Sequence, residues 1–257
     1  MIHTGPHAVV TGGGRGIGAA VAARLVAGGY RVTITGRDAS LLGRAAATLG
    51  SASACQPVTM DVSDRASVDA GMSAARATFG PIAVLVNNAG QATSAPFMKT
   101  DAALFNRMVG VNLMGVFHCT QAVLSDMLVA KFGRIINVAS TAGLVGYAYV
   151  SAYVATKHAV IGLTRALALE VATKGITVNA VCPGYTETDI VKEAVANIIS
   201  KTGRTEGDAR AELAKGNPMK RMVQPEEVAD TVAWLAGTGA ASITGQSIAV
   251  CGGEVMS

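Results

Sequence analysis

Aromatic side chains are scarce in this chain, at 4% of the residues, so a buried core has to be built from Ala, Val, Leu and Ile. Charged residues are also few, at 15%, and no Lys/Arg run is longer than Lys220-Arg221. A net charge of +4 scattered in this way carries no nucleic-acid signature. The four cysteines, Cys55, Cys119, Cys182 and Cys251, form no C-x-x-C pair, which removes the usual zinc and dithiol spacings. Three of them lie in apolar runs and read as small core residues. No apolar run reaches the ~18 residues of a membrane span, and no basic-then-apolar leader pattern is visible. Together these absences predict a soluble, cytoplasmic protein with reduced thiols and neither a membrane nor a nucleic-acid partner. What is abundant is apolar. Hydrophobic residues make up 50% of the 257, enough to bury a large core and to leave apolar helix faces for subunit contacts. The length suits a single α/β domain over 1–257.

Short β-branched runs alternate with longer Ala-rich stretches. The runs fall at 7–11, 31–35, 54–59, 82–86, 134–138, 176–181 and 247–250. They are apolar throughout, as strands buried on both faces must be. Helical stretches lie between them near 16–28, 38–49, 64–79, 101–130, 151–173 and 225–237. Strand–helix alternation predicts a doubly wound, seven-stranded parallel sheet with helices on both faces, the Rossmann arrangement. Residues 186–222 interrupt the rhythm with a polar, amphipathic insertion, which reads as a lid over the carboxyl edge of the sheet.

The first strand ends in Thr11-Gly12-Gly13-Gly14-Arg15-Gly16-Ile17-Gly18, and a helix opens at once. Glycines let the backbone approach a pyrophosphate, and a helix N-terminus offers N–H donors and positive potential. The spacing here is G-x-x-x-G-x-G, not the commoner G-x-G-x-x-G. An NAD site would place an acid at the tip of the second strand to take the ribose 2′-OH. Gly36 stands there instead, followed by Arg37. With Arg15 it can clamp a 2′-phosphate, so the cofactor predicted is NADP rather than NAD. Asp38 is then the N-cap of the second helix.

Tyr153 and Lys157 are four residues apart on one helix face. A phenol with an ordinary pKa of about 10 is a weak base at neutral pH, and a nearby ammonium favours its ionised form. Ser140, at the end of the fifth strand, can hold a substrate oxygen beside Tyr153. Lys157 can also bond the nicotinamide ribose. Asn112 interrupts an apolar helical run, where it could kink the helix and hold a water for a proton relay, or simply satisfy its neighbours. His118 and His158 have no ligand-spaced partners, so no catalytic metal is expected. His3 and His7, near the start, carry no clear signal. Asp189 and Glu193 read as solvated charges at a helix N-terminus.

Taken together, Thr11-Gly12-x-x-x-Gly16-Ile17-Gly18, Asp61-Val62, Asn87-Asn88-Ala89-Gly90, Asn112, Ser140, Tyr153-x-x-x-Lys157 and Pro183-Gly184 resemble the short-chain dehydrogenase/reductase family over nearly the whole chain. The resemblance implies a catalytic tetrad of Asn112, Ser140, Tyr153 and Lys157. It also implies cofactor contacts from Gly12, Gly14, Gly16, Ile17, Gly18, Asp61, Val62, Asn88, Ala89, Gly90, Pro183, Gly184 and Thr186, with Asp61 and Val62 flanking the adenine and Thr186 touching the carboxamide. A homotetramer is implied too, built through the fourth and fifth long helices and the last helix and strand.

The segments 176–184 and 250–253 are similar to polyketide ketoreductases, which act on carrier-bound 3-oxoacyl chains. Lys131 and Lys174 match carrier-docking positions of 3-oxoacyl-carrier-protein reductases, and equally read as helix C-terminal charges. The lid is similar in layout to that of 3-hydroxybutyrate dehydrogenases. Where those enzymes hold a free carboxylate, this chain has Ala92, Ala142 and Val150, and an unpaired carboxylate would be costly there. A neutral ketone or 3-oxoacyl thioester is therefore the expected substrate, with Gln91, Ala142, Leu144, Tyr147, Val150, Met219 and Met222 lining an apolar pocket. The alternatives are an NAD-dependent hydroxyacyl or alcohol dehydrogenase working oxidatively, and a non-catalytic nucleotide-binding sensor or assembly subunit.

Overall fold

The computed structural model describes residues 5–256, the side chain of Ile190 excepted; His3 lies outside the described residues. Seven strands form one parallel sheet in the order β3-β2-β1-β4-β5-β6-β7. They are β1 His7–Thr11, β2 Arg31–Gly36, β3 Cys55–Thr59, β4 Ile82–Asn87, β5 Gly133–Val138, β6 Ile176–Pro183 and β7 Ser247–Val250. Every expected strand is present, most within one residue of its predicted bounds. The connecting helices are α1 Gly16–Ala27, α2 Ala39–Thr48, α3 Arg65–Phe79, α4 Ala102–Val109, α5 Gly115–Ala130, α6 Ser151–Val171, α7 Asp189–Thr202, α8 Glu206–Ala214 and α9 Pro225–Ala236.

The strands read as continuous apolar runs because both sheet faces are covered. Alternate residues serve different layers. Ala8 and Val10 of β1 pack with Val32, Ile34 and Val86 under α1 and α9, whereas Val9 packs with Leu85, Ile135 and Val178 under α3, α5 and α6. Each fully buried Val, Leu or Ile contributes roughly 1.5–3 kcal/mol. The order of strands reverses direction between β1 and β4, which opens a crevice at their carboxyl ends.

Two departures from the expected elements matter for the site. The single helix predicted over 101–130 is divided by a π-helical segment, Gly110–Met114, between α4 and α5. Although it holds no unbroken apolar stretch of ~18 residues, the run Ala102–Ala130 is by length and composition able to cross a bilayer. Here Cys119, Val123 and Met127 of α5 are buried in the layer beneath β4 and β5. The insertion at 186–222 is not merely polar: α7 and α8 enclose a small core of Val191, Val195, Ala209, Ala214 and Met222. A bridge between Thr186 and Val223 closes its base.

His7 is not an uninformative residue near the start. It is 1% exposed within β1, and its Nδ1–H donates to the Gly80 carbonyl at 2.8 Å. That fixes the tautomer, so Nε2 accepts from the Thr33 hydroxyl at 2.9 Å, and Thr33 in turn accepts from the Gln56 amide at 2.9 Å. Burial lowers the His7 pKa from 6.5 to about 4. The unfolded chain therefore takes up a proton below pH 6.5 that the folded chain refuses until about pH 4. Stability should be full above pH 6.5 and fall by ~3 kcal/mol as the pH drops to about 4. Urea midpoints of the wild type and His7→Gln across this window test the assignment, and the variant should lose most of the slope.

Candidate active site

The glycine loop is shaped by what side chains would strike. Gly12 and Gly16 have φ of +65° and +52°, the left-handed region in which glycine is unstrained. A Cβ on Gly18 would lie 2.2 Å from the Gly12 carbonyl and 2.5 Å from Asn88 Nδ2. Asn88 holds the loop from β4: its Nδ2 donates to the carbonyls of Thr11 (2.9 Å) and Gly12 (3.2 Å), while Thr11 Oγ1 accepts from the N–H groups of Asn88 and Ala89 at 3.0 Å each. The N-terminus of α1 carries no side-chain cap and no acid in its first turn. Its N–H groups are therefore presented to an anion, and the glycine cradle leaves room for one. These residues fit the pyrophosphate of a dinucleotide.

Around the adenosine end, Asp61 accepts from the Ser63 N–H and hydroxyl at 2.9 and 2.7 Å, which holds its carboxyl below the ordinary range; the charge of Arg37 adds to this. Asp38 caps α2 through the Leu41 N–H at 2.9 Å, so this acid is committed to the helix end. Val62 is 7% exposed and packs against Gly115, where a Cβ would meet it at 2.7 Å. Arg15 is exposed and pairs with Asp189 of the lid at 3.3 Å, and Asp189 also meets Lys192. Asp189 is thus a loop-to-lid contact as well as a charge at the start of α7.

Tyr153 and Lys157 lie on α6, whose exit from the loop after β5 sets their height over the sheet edge. Lys157 is 6% exposed, and its ammonium donates to the Val138 carbonyl at 2.8 Å. Burial pushes its pKa down to about 8. Its Nζ stands 5.6 Å from the centre of the Tyr153 ring. Tyr153 is half-buried, and burial raises its phenol above the ordinary value, with a hydrogen bond to Ser140 acting in the opposite sense. Desolvation is the largest influence on this phenol, ahead of the Ser140 hydrogen bond. Ser140 also accepts from the Ala142 N–H at 3.1 Å, which fixes its rotamer.

Asn112 occupies the π-helical segment and is 1% exposed. Its Oδ1 accepts from the Gln91 N–H at 2.9 Å, and its Nδ2 donates to the Gln91 carbonyl at 2.9 Å and to Thr156 Oγ1 at 3.2 Å. Thr156 in turn donates to the Tyr153 carbonyl at 2.8 Å. Both amide N–H bonds are therefore committed to protein acceptors, and Asn112 acts as a staple between the loop after β4 and α6. Gly90 completes the cluster: a Cβ there would lie 3.3 Å from Asn112 Oδ1 and 3.8 Å from Lys157 Nζ. Sequence reasoning missed Thr156, although it adjoins Lys157.

The structure divides the remaining predicted residues. Gln91 is gripped by Asn112 at both backbone groups, and Gly184 donates to the Val250 carbonyl at 3.1 Å. Thr186 is buried, its hydroxyl donating to the Gly184 carbonyl at 3.0 Å. Ala142 is buried, Val150 immediately precedes α6, and Leu144 packs against the cluster of Val116, Ala139, Val160 and Ile161. Met219 is 60% exposed, at a cleft shared with Arg221, Glu227 and Gly252. Met222 is filler of the lid core. Lys131 takes a left-handed conformation at the end of α5, the geometry of a helix terminus. Among the described residues there is no cluster of metal-ligating side chains; His118 and His158 donate to backbone carbonyls of Val62 and Val154.

The family described as short chain dehydrogenase matches residues 6–198 of the chain. A cis-4-hydroxycyclohexanecarboxylate dehydrogenase of Sinomonas cyclohexanicum is 41% identical over 96% of this chain and 95% of its own length. An acetoacetyl-CoA reductase of Rhizobium meliloti is 38% identical over 96% of this chain and 97% of its own. The crystal structure of an actinorhodin polyketide ketoreductase variant with NADPH superimposes with a TM-score of 0.94, at 38% identity, over 98% of each chain.

Replacing Asn112 with Ala removes three hydrogen bonds and strands the Gln91 backbone groups. We expect a loss of about 3 kcal/mol in urea unfolding and faster hydrogen exchange at the Gln91 amide. An unaltered exchange rate at that amide would contradict the staple.

Proposed function

We propose that this chain, which belongs to the short chain dehydrogenase family, is an NADP-dependent ketoreductase acting on a neutral ketone such as a 3-oxoacyl thioester. The observation that carries the reading is the meeting of Ser140, Tyr153 and Lys157 at the carboxyl edge of the sheet, beside a glycine loop fitted to a dinucleotide. The NADPH-bound neighbour and the acetoacetyl-CoA reductase support the cofactor and the substrate class.

When bound, NADPH supplies the hydride that reduces the carbonyl carbon. Ser140 and Tyr153 hold the carbonyl oxygen between two hydroxyls. Tyr153, kept protonated by burial, donates its proton to that oxygen. The phenolate left behind is stabilised by the Ser140 hydroxyl and by the ammonium of Lys157. Lys157 has two donors beyond the bond to Val138, and these serve the nicotinamide ribose. Asn112 contributes by position: it fixes Gln91 and the turn of α6 that carries Tyr153. Gly12, Gly14, Gly16, Ile17 and Gly18 receive the pyrophosphate, Arg15 and Arg37 the 2′-phosphate, and Asp61, Val62 and Asn88 to Gly90 the adenosine. Pro183, Gly184 and Thr186 lie on the nicotinamide side.

The exposed Phe105, Phe117, Leu128 and Leu169 on α4 to α6 and Trp234 on α9 supply apolar surface for a homotetramer. Four buried free cysteines suit a reducing, cytoplasmic setting.

Tyr153→Phe should lower ketone reduction by ~10³-fold while NADPH still binds; full turnover in that variant would refute the mechanism. Arg37→Ala should weaken NADPH by roughly 10–100-fold, the worth of a charge-assisted pair, and leave NADH nearly unchanged. Equal losses would refute the cofactor preference. Below about pH 8 Lys157 is an ammonium, and above it the charge is lost. The value of kcat/KM for NADPH, which reports the cofactor-free enzyme, should therefore fall as the pH rises through about 8.

A further inference from the structure

The C-terminal tail returns to the site. After β7 it turns through Gly252 and Gly253, at φ of +60° and +88°, and packs against Asn217 and Pro218 at the end of the lid. Glu254 is thereby carried between three segments. A Cβ on Gly184 would lie 2.9 Å from one carboxylate oxygen, Oε2, and a Cβ on Gly216 would lie 3.3 Å from the other, Oε1. Tyr147 donates its hydroxyl proton to Oε1 at 2.8 Å. Since one hydroxyl has one proton, the 3.0 Å contact between Tyr147 and Thr141 runs from the Thr141 hydroxyl to the Tyr147 oxygen. Thr141 adjoins Ser140. Tyr147 and Tyr185 meet edge to face at 6.5 Å, and Tyr185 lies near enough to Tyr153 to act on its phenol. Among the described residues no lysine or arginine pairs with Glu254.

We infer that Glu254 is a specificity-determining residue that sets the charge tolerated beside the reacting carbonyl: its carboxylate, held by Tyr147 at the side of the site nearest Gly184, rejects a substrate with a free carboxylate there. The inference rests on the ketoreductase reading above and refines it to neutral ketones. Two independent features act in one direction. The apolar Ala92, Ala142 and Val150, at positions where 3-hydroxybutyrate dehydrogenases hold a carboxylate, offer such a group no partner, and Glu254 supplies a like charge. At an effective dielectric of ~20, like charges within roughly 12 Å of one another repel enough for about a tenfold preference. No motif in the sequence marks this residue, because it acts across the fold from a tail of six residues after Cys251.

The test compares acetoacetate with its methyl ester, which differ in charge and little in shape. Both are measured for kcat/KM with NADPH, and for affinity by calorimetry on the enzyme loaded with NADP+. Wild type should favour the ester by about tenfold or more in both measurements. Glu254→Gln should raise the acetoacetate values by about tenfold and move the ester by less than about threefold. Glu254→Asp, which keeps the charge, should retain the discrimination. A wild type that takes both ligands alike, or a Glu254→Gln protein with an unchanged acid-to-ester ratio, would overturn the inference. A purely structural role would shift both ligands together, and that result also overturns it. If neither ligand is reduced, the ketoreductase reading fails by itself, while the calorimetric ratio still decides the role of Glu254.

Discussion

One bond organises the site: the ammonium of Lys157 on the carbonyl of Val138, the last residue of β5. A buried ammonium is tolerated only where an oriented acceptor replaces water. The carboxyl end of a central parallel strand supplies that acceptor. Once Lys157 is fixed, α6 fixes Tyr153 one turn earlier, and Thr156 between them passes the constraint to Asn112. The loop after β4, the π-helical segment and α6 are thus tied through a few polar bonds within an otherwise apolar layer. Such a network is effective because each member is satisfied, and a half-satisfied one would be worse than none.

Burial moves the two titrating groups apart. The phenol of Tyr153 rises above its ordinary value and the ammonium of Lys157 falls to about 8. Both shifts have the same cause, the low dielectric of the crevice, which penalises the charged form of either group. At neutral pH a phenol carries the proton that a reduction requires. The charge of Lys157 stabilises the phenolate only after that proton has moved.

The lid joins this chemistry from the outside. Its two helices have their own small core, and it is tied at its base by the Thr186–Val223 bridge and the turn around Asn217. It touches the glycine loop through Arg15 and Asp189, and the C-terminal tail through Gly216 and Glu254. The Arg15–Asp189 pair is exposed, and surface pairs of this kind contribute at most about 1 kcal/mol. It can be exchanged for ligand contacts with little loss.

All seven strands, the helix order, the glycine loop and the Tyr153–Lys157 spacing were legible in the sequence, because each depends on neighbours within one element: apolar periodicity, a cap such as Asp38, a glycine where the backbone turns. Features that depend on what lies opposite in space were not legible. The π-helical segment was hidden because Val109 to Phe117 reads as one apolar helix, and only the hydrogen bonds of Asn112 show where it widens. Met219 and Met222 were indistinguishable as letters; burial separates a surface residue from lid filler. His7 looked inert until β2 and β3 brought Thr33 and Gln56 beside it. The burial of the Tyr153 phenol, and the return of Glu254 to the side of Gly184, belong to tertiary structure alone. Solvation and long-range proximity are properties of the folded chain, whereas residue order dictates local conformation.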